Sequence, residues 1–205
     1  MSRTAQRLSL VLLISIFTSV SMWASANALD DYVAAPDANY SWALHATYPH
    51  TGYTDYILTM NSQVWSPPGG VNVSLWHHWL IITVPNQVDH ETAMFFISGG
   101  SIYSSAPTGN DAFLVNMATT THSVVAQLKT VPNEPLTITG YRQENEDGLI
   151  TYGWKQFLLG GDPLWLMRLP MTKAAVRGMD TVTAFMATPQ GGSRTVNKFV
   201  VSGAS

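Results

Sequence analysis

The sequence predicts an α/β protein whose sheet starts antiparallel and becomes parallel, with helices on both faces. Three observations lead to this fold class. Residues 93–97 form a continuous apolar run that ends in glycines, which is typical of a parallel strand buried on both faces. Strand and helix patterns alternate after it. Hydrophobic residues make up 46% of the chain and charged residues only 11%, a composition that suits a sheet covered on both sides.

The first part of the chain predicts antiparallel strands. Residues 29–52 are irregular and rich in Asp, Pro, Tyr and Trp, and we expect a loop packed on the surface. Residues 53–60 predict a first strand, which 63–66 can continue into a hairpin. A turn follows at 67–70, where two prolines precede two glycines. The aromatic and β-branched run 73–84, which ends at a proline, predicts the next strand.

After the apolar run 93–97, helix and strand patterns alternate. Residues 111–121 predict a helix that begins near Asp111. Residues 123–129 alternate in the manner of a strand, and the segment 132–135, with a proline at each end, breaks the chain.

Two further helices and a last strand complete the pattern. Residues 144–159 have an acidic start and a glycine stop, which predicts a helix. Residues 171–186 predict a longer helix that Pro170 opens. Glycines at 191–192 then lead into a strand that we expect to end at Val201.

Residues 1–28 have the layout of a secretory signal peptide. Arg3 and Arg7 precede an apolar stretch at 8–20, and 26–28 reads Ala-Asn-Ala, a small-residue cleavage site. The apolar stretch is shorter than the ~20 residues that a membrane-spanning helix needs. We therefore predict cleavage before Leu29, a secreted or periplasmic protein without a membrane span, and residues 29–205 as the N-terminal portion of a single domain.

Charge and cysteine content argue against a nucleic-acid-binding protein and exclude a disulfide-stabilised one. The net charge is −3, and loss of the two signal-peptide arginines takes it to −5 (−3 − 2). No lysine or arginine occurs between residues 8 and 128, which excludes a nucleic-acid surface because phosphate binding needs clustered basic side chains. The chain has no cysteine, so disulfides cannot stabilise it after export.

The end of the sequence predicts a catalytic element. The strand pattern at 198–201 runs into Ser202-Gly203-Ala204-Ser205, the first half of a G-x-S-x-G nucleophile elbow. In such an elbow the serine sits on a tight turn between strand and helix. We predict Ser205 as the nucleophile, and the chain as the front part of a longer protein with an α/β-hydrolase fold.

A second glycine turn supports this interpretation. Gly99 and Gly100 follow the buried strand at 93–97, where an α/β-hydrolase places an oxyanion-hole donor. Glycines let backbone N–H groups approach a substrate oxygen without obstruction by a Cβ atom. We therefore predict that Gly99 and Gly100 form an oxyanion-hole turn, although a tight loop without catalytic duty fits the same residues.

Several segments together carry a family resemblance. They are LDDYV at 29–33, YSW at 40–42, HWL at 78–80, VP at 84–85, ISGGS at 97–101, VPNEPL at 131–136, ED at 146–147, Tyr152, Trp154, GDP at 161–163, RLPM at 168–171, KAAVR at 173–177 and FVVSGAS at 199–205. On these segments the chain resembles the PhoPQ-activated pathogenicity-related proteins, which are similar to a slime-mould autocrine proliferation repressor. The resemblance implies an α/β-hydrolase fold, a secreted or periplasmic location, and further sheet and helix after Ser205.

The expected activity follows from the order of the triad. In α/β-hydrolases the acid and the histidine come after the nucleophile, whereas all six histidines here precede Ser205. We therefore expect hydrolysis of a small-molecule or peptide acyl ester or amide by the full-length protein, without a cofactor, and no activity from this chain alone. The alternative is a non-catalytic secreted binding or signalling protein, associated with virulence, on the same scaffold.

The histidines and acidic residues have simpler interpretations. We expect His45, His50, His77, His78, His90 and His122 to be solvated and without a role. His77 and His78 are neighbours in a strand and point to opposite faces, so they cannot share a metal ion, and we predict no metal site. Glu144, Glu146 and Asp147 are interpreted as the acidic start of a helix rather than calcium ligands.

Overall fold

The structure of the protein, a computed structural model, describes residues 27–204. The predicted signal peptide, apart from its last two residues, and Ser205 lie outside the described residues. The elements in chain order are helix α1 (Ala28–Ala34), strands β1 (Ser41–His50), β2 (Tyr53–Val64), β3 (Leu75–Pro85) and β4 (Thr92–Ser98), helix α2 (Ala112–Thr121), strands β5 (Val125–Leu128), β6 (Leu136–Thr137) and β7 (Gln143–Glu144), helix α3 (Glu146–Leu158), a 3₁₀ turn (Pro163–Trp165), helix α4 (Arg168–Met186) and strand β8 (Lys198–Ala204).

Six strands form one mixed sheet in the order β1-β2-β3-β5-β4-β8. The pairs β1/β2, β2/β3 and β3/β5 are antiparallel, and the pairs β5/β4 and β4/β8 are parallel. Parallel neighbours need crossover connections, which α2 provides between β4 and β5. The predicted change from an antiparallel to a parallel sheet is confirmed.

Helices cover both faces of this sheet, as the sequence predicted. On one face, Leu114 and Ala118 of α2 pack against Val125. On the other face, α4 crosses the sheet so closely that a Cβ atom at Gly178 would lie 2.5 Å from Cζ of Phe95. Glycine at 178 therefore sets how near the helix lies to the sheet.

The prediction of a surface loop at 29–52 is wrong, because this segment forms α1 and β1. The Asn27 side chain caps α1 by accepting hydrogen bonds from the N–H groups of Leu29 (3.0 Å) and Asp30 (3.1 Å). β1 is an edge strand whose side chains are mostly exposed, so it lacks the apolar alternation that would have revealed it. Strand β1 is instead held in place by its backbone pairing with β2 along the whole strand.

The other predicted elements are confirmed with shifted ends. The first predicted strand continues to Val64 as β2, because β3 pairs with it over that length. Helix α4 begins at Arg168, ahead of the predicted start, and accommodates Pro170 in its first turn, where a missing N–H has no cost. Among residues 27–204, no helix combines the length and apolarity needed to cross a membrane.

Candidate functional site

The carboxyl ends of β4 and β8 lie side by side at one edge of the sheet. The two strands pair in parallel from Thr92 opposite Lys198 to Ser98 opposite Ala204. Gly99 follows Ser98 directly, and Ala204 is the last described residue. Since parallel strands end at the same edge, the predicted oxyanion turn and the end of β8 are adjacent.

The turn after β4 is held in place by the segment that follows β5. Thr130 N–H donates to the carbonyl oxygen of Gly99 and Val131 N–H to that of Ser98, each at 3.2 Å. Gly100 has a φ of +145°, a conformation that favours glycine. A Cβ atom at this position would also lie 3.4 Å from Thr130 N, so the neighbouring chain leaves little space.

The exposed backbone of Gly100 carries an available donor. Within residues 27–204, no acceptor receives the Gly100 N–H, whereas the nearby Ile102 N–H donates to the carbonyl oxygen of Glu134 at 2.7 Å. An exposed backbone N–H without a protein acceptor can donate to a charge that develops on a substrate oxygen. The geometry is therefore compatible with the predicted oxyanion-hole turn.

The strand before the predicted nucleophile is longer than expected. We predicted that the strand ends at Val201, but β8 continues through Ala204 because β4 offers partners as far as Ser98. Gly203 permits this pairing, since a Cβ atom there would lie 2.7 Å from the carbonyl oxygen of Ile97. Ser205 itself lies outside the described residues, and its role stays a prediction.

Two apolar hollows flank β8, one on each face of the sheet. Val201 and Val200 are 51% and 62% exposed and face the hollow on the α4 side and the hollow on the α2 side, respectively. The hollow on the α4 side has a volume of about 490 Å³ and is lined by Met171, Ala175 and Met179. The hollow on the α2 side, of about 510 Å³, is lined by Met94 and Met117. Both lie on sheet faces beside the candidate site.

An acidic hollow of about 410 Å³ lies at the start of α3, beyond the glycine turn. The carboxylate of Glu134 lines it and accepts a hydrogen bond from the N–H of Glu146, which caps the helix. Burial raises the pKa of Glu134, and the carboxylates of Glu146 and Asp147 add to this effect. The predicted acidic helix start is confirmed for Glu146 and Asp147, whereas Glu144 lies before the helix and pairs with Arg142 (2.6 Å).

One serine and one histidine do have the geometry of a nucleophile and its base, but away from this edge. Nε2 of His78 lies 2.9 Å from Oγ of Ser62, and Nδ1 lies 3.2 Å from the carbonyl oxygen of Lys129. Both side chains are fully buried. No substrate can reach this pair, so its role is structural.

The expectation that all histidines are solvated is therefore wrong for His78. Its burial lowers its pKa to about 4, which keeps the imidazole neutral. His77 is exposed on the opposite face, as the alternation of a strand predicts. Among residues 27–204, no group of three potential ligands is placed to hold a metal ion.

The family model of the PhoPQ-activated pathogenicity-related proteins matches residues 29–205 of this chain. The chain belongs to that family. The match begins at the residue where we expect the mature protein to start.

A curated relative and a solved structure are similar to this PhoPQ-related chain. Autocrine proliferation repressor protein A of Dictyostelium discoideum is 37% identical over 202 residues, which cover 97% of this chain and 39% of that protein. The chain thus spans about two fifths of the length of that relative. A protein of Bacteroides fragilis provisionally assigned as an acetyl xylan esterase matches with a TM-score of 0.45 and 10% identity, over 87% of this chain and 45% of that one. A TM-score of this size does not establish a shared fold.

Sequence reasoning missed the polar side chains that surround the glycine turn in this PhoPQ-related protein. Gln127 is buried in β5 and bonds to Ser98 and Asp111 at the two ends of the connection 99–110. The signal was present, because a glutamine within the otherwise apolar pattern 124–128 is costly to bury unless it bonds. The cap that Glu134 provides had no comparable signal, since it depends on two segments that meet only in the fold.

Proposed function

We propose that this chain is the N-terminal part of a secreted serine hydrolase-like protein that cleaves an acyl ester or amide through Ser205. The observation that supports it best is the register of β4 and β8, in which Ser98 lies opposite Ala204. Gly99 follows Ser98 in the chain, and the predicted nucleophile follows Ala204, so this register supports a site at which the glycine turn and Ser205 meet.

The proposed reaction has two stages. Oγ of Ser205 attacks the acyl carbonyl carbon, a base removes the hydroxyl proton, and the leaving group departs from a tetrahedral intermediate with that proton. The N–H groups of the turn at Gly99 and Gly100 stabilise the negative charge on the carbonyl oxygen of this intermediate. Water then releases the acyl group from Ser205. The base and its acid partner are expected after the nucleophile in the chain order of α/β-hydrolases.

Active-site labelling of the full-length natural protein tests this proposal. We expect a fluorophosphonate probe to label the protein and Ser205→Ala to abolish the label. Ser202→Ala is the matched control, because Ser202 is exposed on the same strand and is not at the elbow position. Label that survives Ser205→Ala, or that Ser202→Ala removes, contradicts the role of Ser205.

A chain that ends at residue 205 is expected to hydrolyse no p-nitrophenyl ester. Ser205 would then lack a base, and an unactivated serine hydroxyl is a poor nucleophile. Ester turnover by this chain that disappears in Ser205→Ala would refute the expectation.

Secretion is part of the same proposal. The mature protein, recovered from the periplasm or the culture medium, is expected to have Leu29 as its N-terminal residue when it is sequenced. Recovery of the intact N-terminus Met1 from the cytoplasm would overturn the predicted export.

A second candidate is a secreted binding or signalling protein that uses the scaffold without catalysis. The name of the Dictyostelium relative, a proliferation repressor, favours this class. A fold does not decide between the two. Full-length protein that binds a cell surface but resists the fluorophosphonate probe would support binding, whereas labelling at Ser205 supports hydrolysis.

A further inference from the structure

A single polar side chain interrupts the apolar strand β5. This strand lies between β3 and β4, and all of its residues are buried. Gln127 is 2% exposed. Burial of a primary amide destabilises a fold unless hydrogen bonds compensate.

The amide nitrogen of Gln127 binds two residues that are separated in sequence. Nε2 donates to Oγ of Ser98 at 3.3 Å and to Oδ2 of Asp111 at 3.1 Å. Ser98 in turn donates to the carbonyl oxygen of Leu128 at 3.3 Å, so its oxygen is free to accept from Gln127. A carboxylate only accepts, and this fixes the orientation of the amide, with its nitrogen towards Asp111.

Ser98 and Asp111 are the two ends of one connection. Ser98 is the last residue of β4, and Asp111 immediately precedes α2, so Gln127 closes the base of the segment 99–110. Asp111 occupies the N-cap position of α2, yet its side chain makes no capping hydrogen bond. The carboxylate serves the contact with Gln127 instead of the more usual contact with the helix N–H groups.

We infer that Gln127 is a positioning residue for the turn at Gly99 and Gly100. By holding Ser98 and Asp111 together, it fixes where the segment 99–110 leaves the sheet and returns, and therefore where the Gly100 N–H points. This inference rests on the proposed function, because the turn matters to chemistry only if it stabilises an oxyanion. A catalytic group that is misplaced by about 1 Å can lose about a hundredfold in rate.

The acceptor half of the same amide has no partner. Oε1 of Gln127 is buried and receives no donor from residues 27–204. The contacts of this side chain are therefore both made by the N–H groups. A glutamate at 127 keeps the shape but places a carboxylate oxygen against Asp111, and it regains one donor only when it is protonated.

Asp111 offers the safest variants, because it is exposed and makes no capping bond. In the full-length natural protein, Asp111→Asn keeps an acceptor oxygen for Gln127, and Asp111→Ala removes it. Two measurements are made on both. One is the rate at which a fluorophosphonate probe labels Ser205, and the other is hydrogen exchange at the amides of Ile102 and Ser104 within the segment, which donate to the carbonyl oxygens of Glu134 and Ser101, respectively.

We expect Asp111→Ala to slow labelling about tenfold and to speed exchange at both amides, with the Asn variant within about twofold of wild type in each measurement. A wild-type result for the Ala variant in both measurements overturns the inference. If the wild-type protein takes no label, the proposed function fails, and exchange alone then decides whether Gln127 holds the turn.

Gln127→Glu supplies a readout that a purely structural residue would not move. The ratio of its labelling rate to that of wild type is expected to rise as the pH is lowered, because protonation restores a donor towards Asp111. A ratio that does not change with pH contradicts the positioning role, whether or not the variant is less stable.

Discussion

Strands β3 and β8 of the same sheet differ in how far their side chains are buried. Most residues of β3 are buried, and Trp76 and Leu80 are fully covered. In β8, by contrast, Val200 is 62% and Val201 51% exposed. Strand β3 belongs to the tightly packed antiparallel part of the sheet, whereas β8 forms the parallel edge at which the candidate site lies. Substitutions in the two strands are therefore expected to differ most in their effect on stability.

The largest contrast is expected from truncating one side chain in each strand. Trp76→Ala should lower the free energy of unfolding by about 3–5 kcal/mol, because it leaves a cavity beside Trp65 and His78. Val201→Ala should change it by less than about 0.5 kcal/mol, since the side chain is already half exposed. Urea unfolding measures both, and equal effects would remove the distinction between the two halves.

The buried pair of His78 and Ser62 predicts a pH dependence that belongs to the scaffold. The folded protein lowers the pKa of His78 to about 4 by burial, whereas the unfolded chain titrates near 6.5. Between these values the unfolded state binds the proton and the folded state does not, so stability falls as the pH drops. The total loss is about 3 kcal/mol and is complete near pH 4.

His78→Gln tests the origin of that slope. A glutamine cannot titrate, so the variant should lose the part of the pH dependence that lies between pH 6.5 and 4. Urea unfolding at a series of pH values measures it. Parallel curves for the variant and the wild type would show that other groups control acid sensitivity.

A smaller effect is expected at a buried carboxylate that pins β2 to β3. Asp55 is 1% exposed, and its Oδ1 accepts from Oγ1 of Thr83 at 2.5 Å. Thr83→Val removes this donor, so unfolding should become easier by about 1–3 kcal/mol. Thr59→Val is the control, because the bond of Thr59 in β2 to the carbonyl oxygen of Ala43 in β1 is long (3.4 Å) and exposed. Equal losses of stability in the two variants would argue against a special role for the buried hydrogen bond between Thr83 and Asp55.

The smallest effect is expected where α1 docks onto the scaffold. The hydroxyl of Tyr32 donates to Oε1 of Gln63 at 2.9 Å, and its ring lies 5.1 Å from Nζ of Lys173. Tyr32→Phe removes only the hydrogen bond and should cost about 1 kcal/mol. Tyr32→Leu removes the cation–π contact as well, and thermal unfolding should rank it below the Phe variant. A Phe variant as stable as wild type would mean that the hydroxyl contributes nothing.

The sequence predicts most elements of this fold because their patterns depend on residues that are close together in the chain. The apolar run of β4 and the glycine stop after α3 depend on neighbours in the chain, and both are confirmed. β1 escapes prediction because its order comes from pairing with β2 and not from its own side chains. The burial of His78 likewise depends on strands that meet only after folding.

The candidate site divides in the same way. A serine after a strand and a glycine pair after another strand are visible as motifs, and their residue types suggest the chemistry. Their adjacency is not visible, because it depends on β8 lying next to β4 rather than next to β5. Gln127 lies in β5 and bonds to Ser98 and Asp111, which belong to other segments. Only its polar side chain in an apolar strand marks it in the sequence.

The cap of α1 bears on the order of events in the predicted export. Asn27 lies inside the predicted cleavage site, and its side chain accepts from the N–H groups of Leu29 and Asp30 in the helix that packs against α4. Proteases bind their substrates in an extended form, so residues 27–29 cannot occupy the peptidase and form the capped helix start at once. If cleavage falls before Leu29, removal of the signal precedes docking of α1 and takes the Asn27 cap with it. The new ammonium group at Leu29 only donates, so it cannot accept from helix N–H groups, but its charge lies near the carboxylates of Asp30 and Asp31. The signal peptidase would then act on the extended segment before α1 forms and packs against α4.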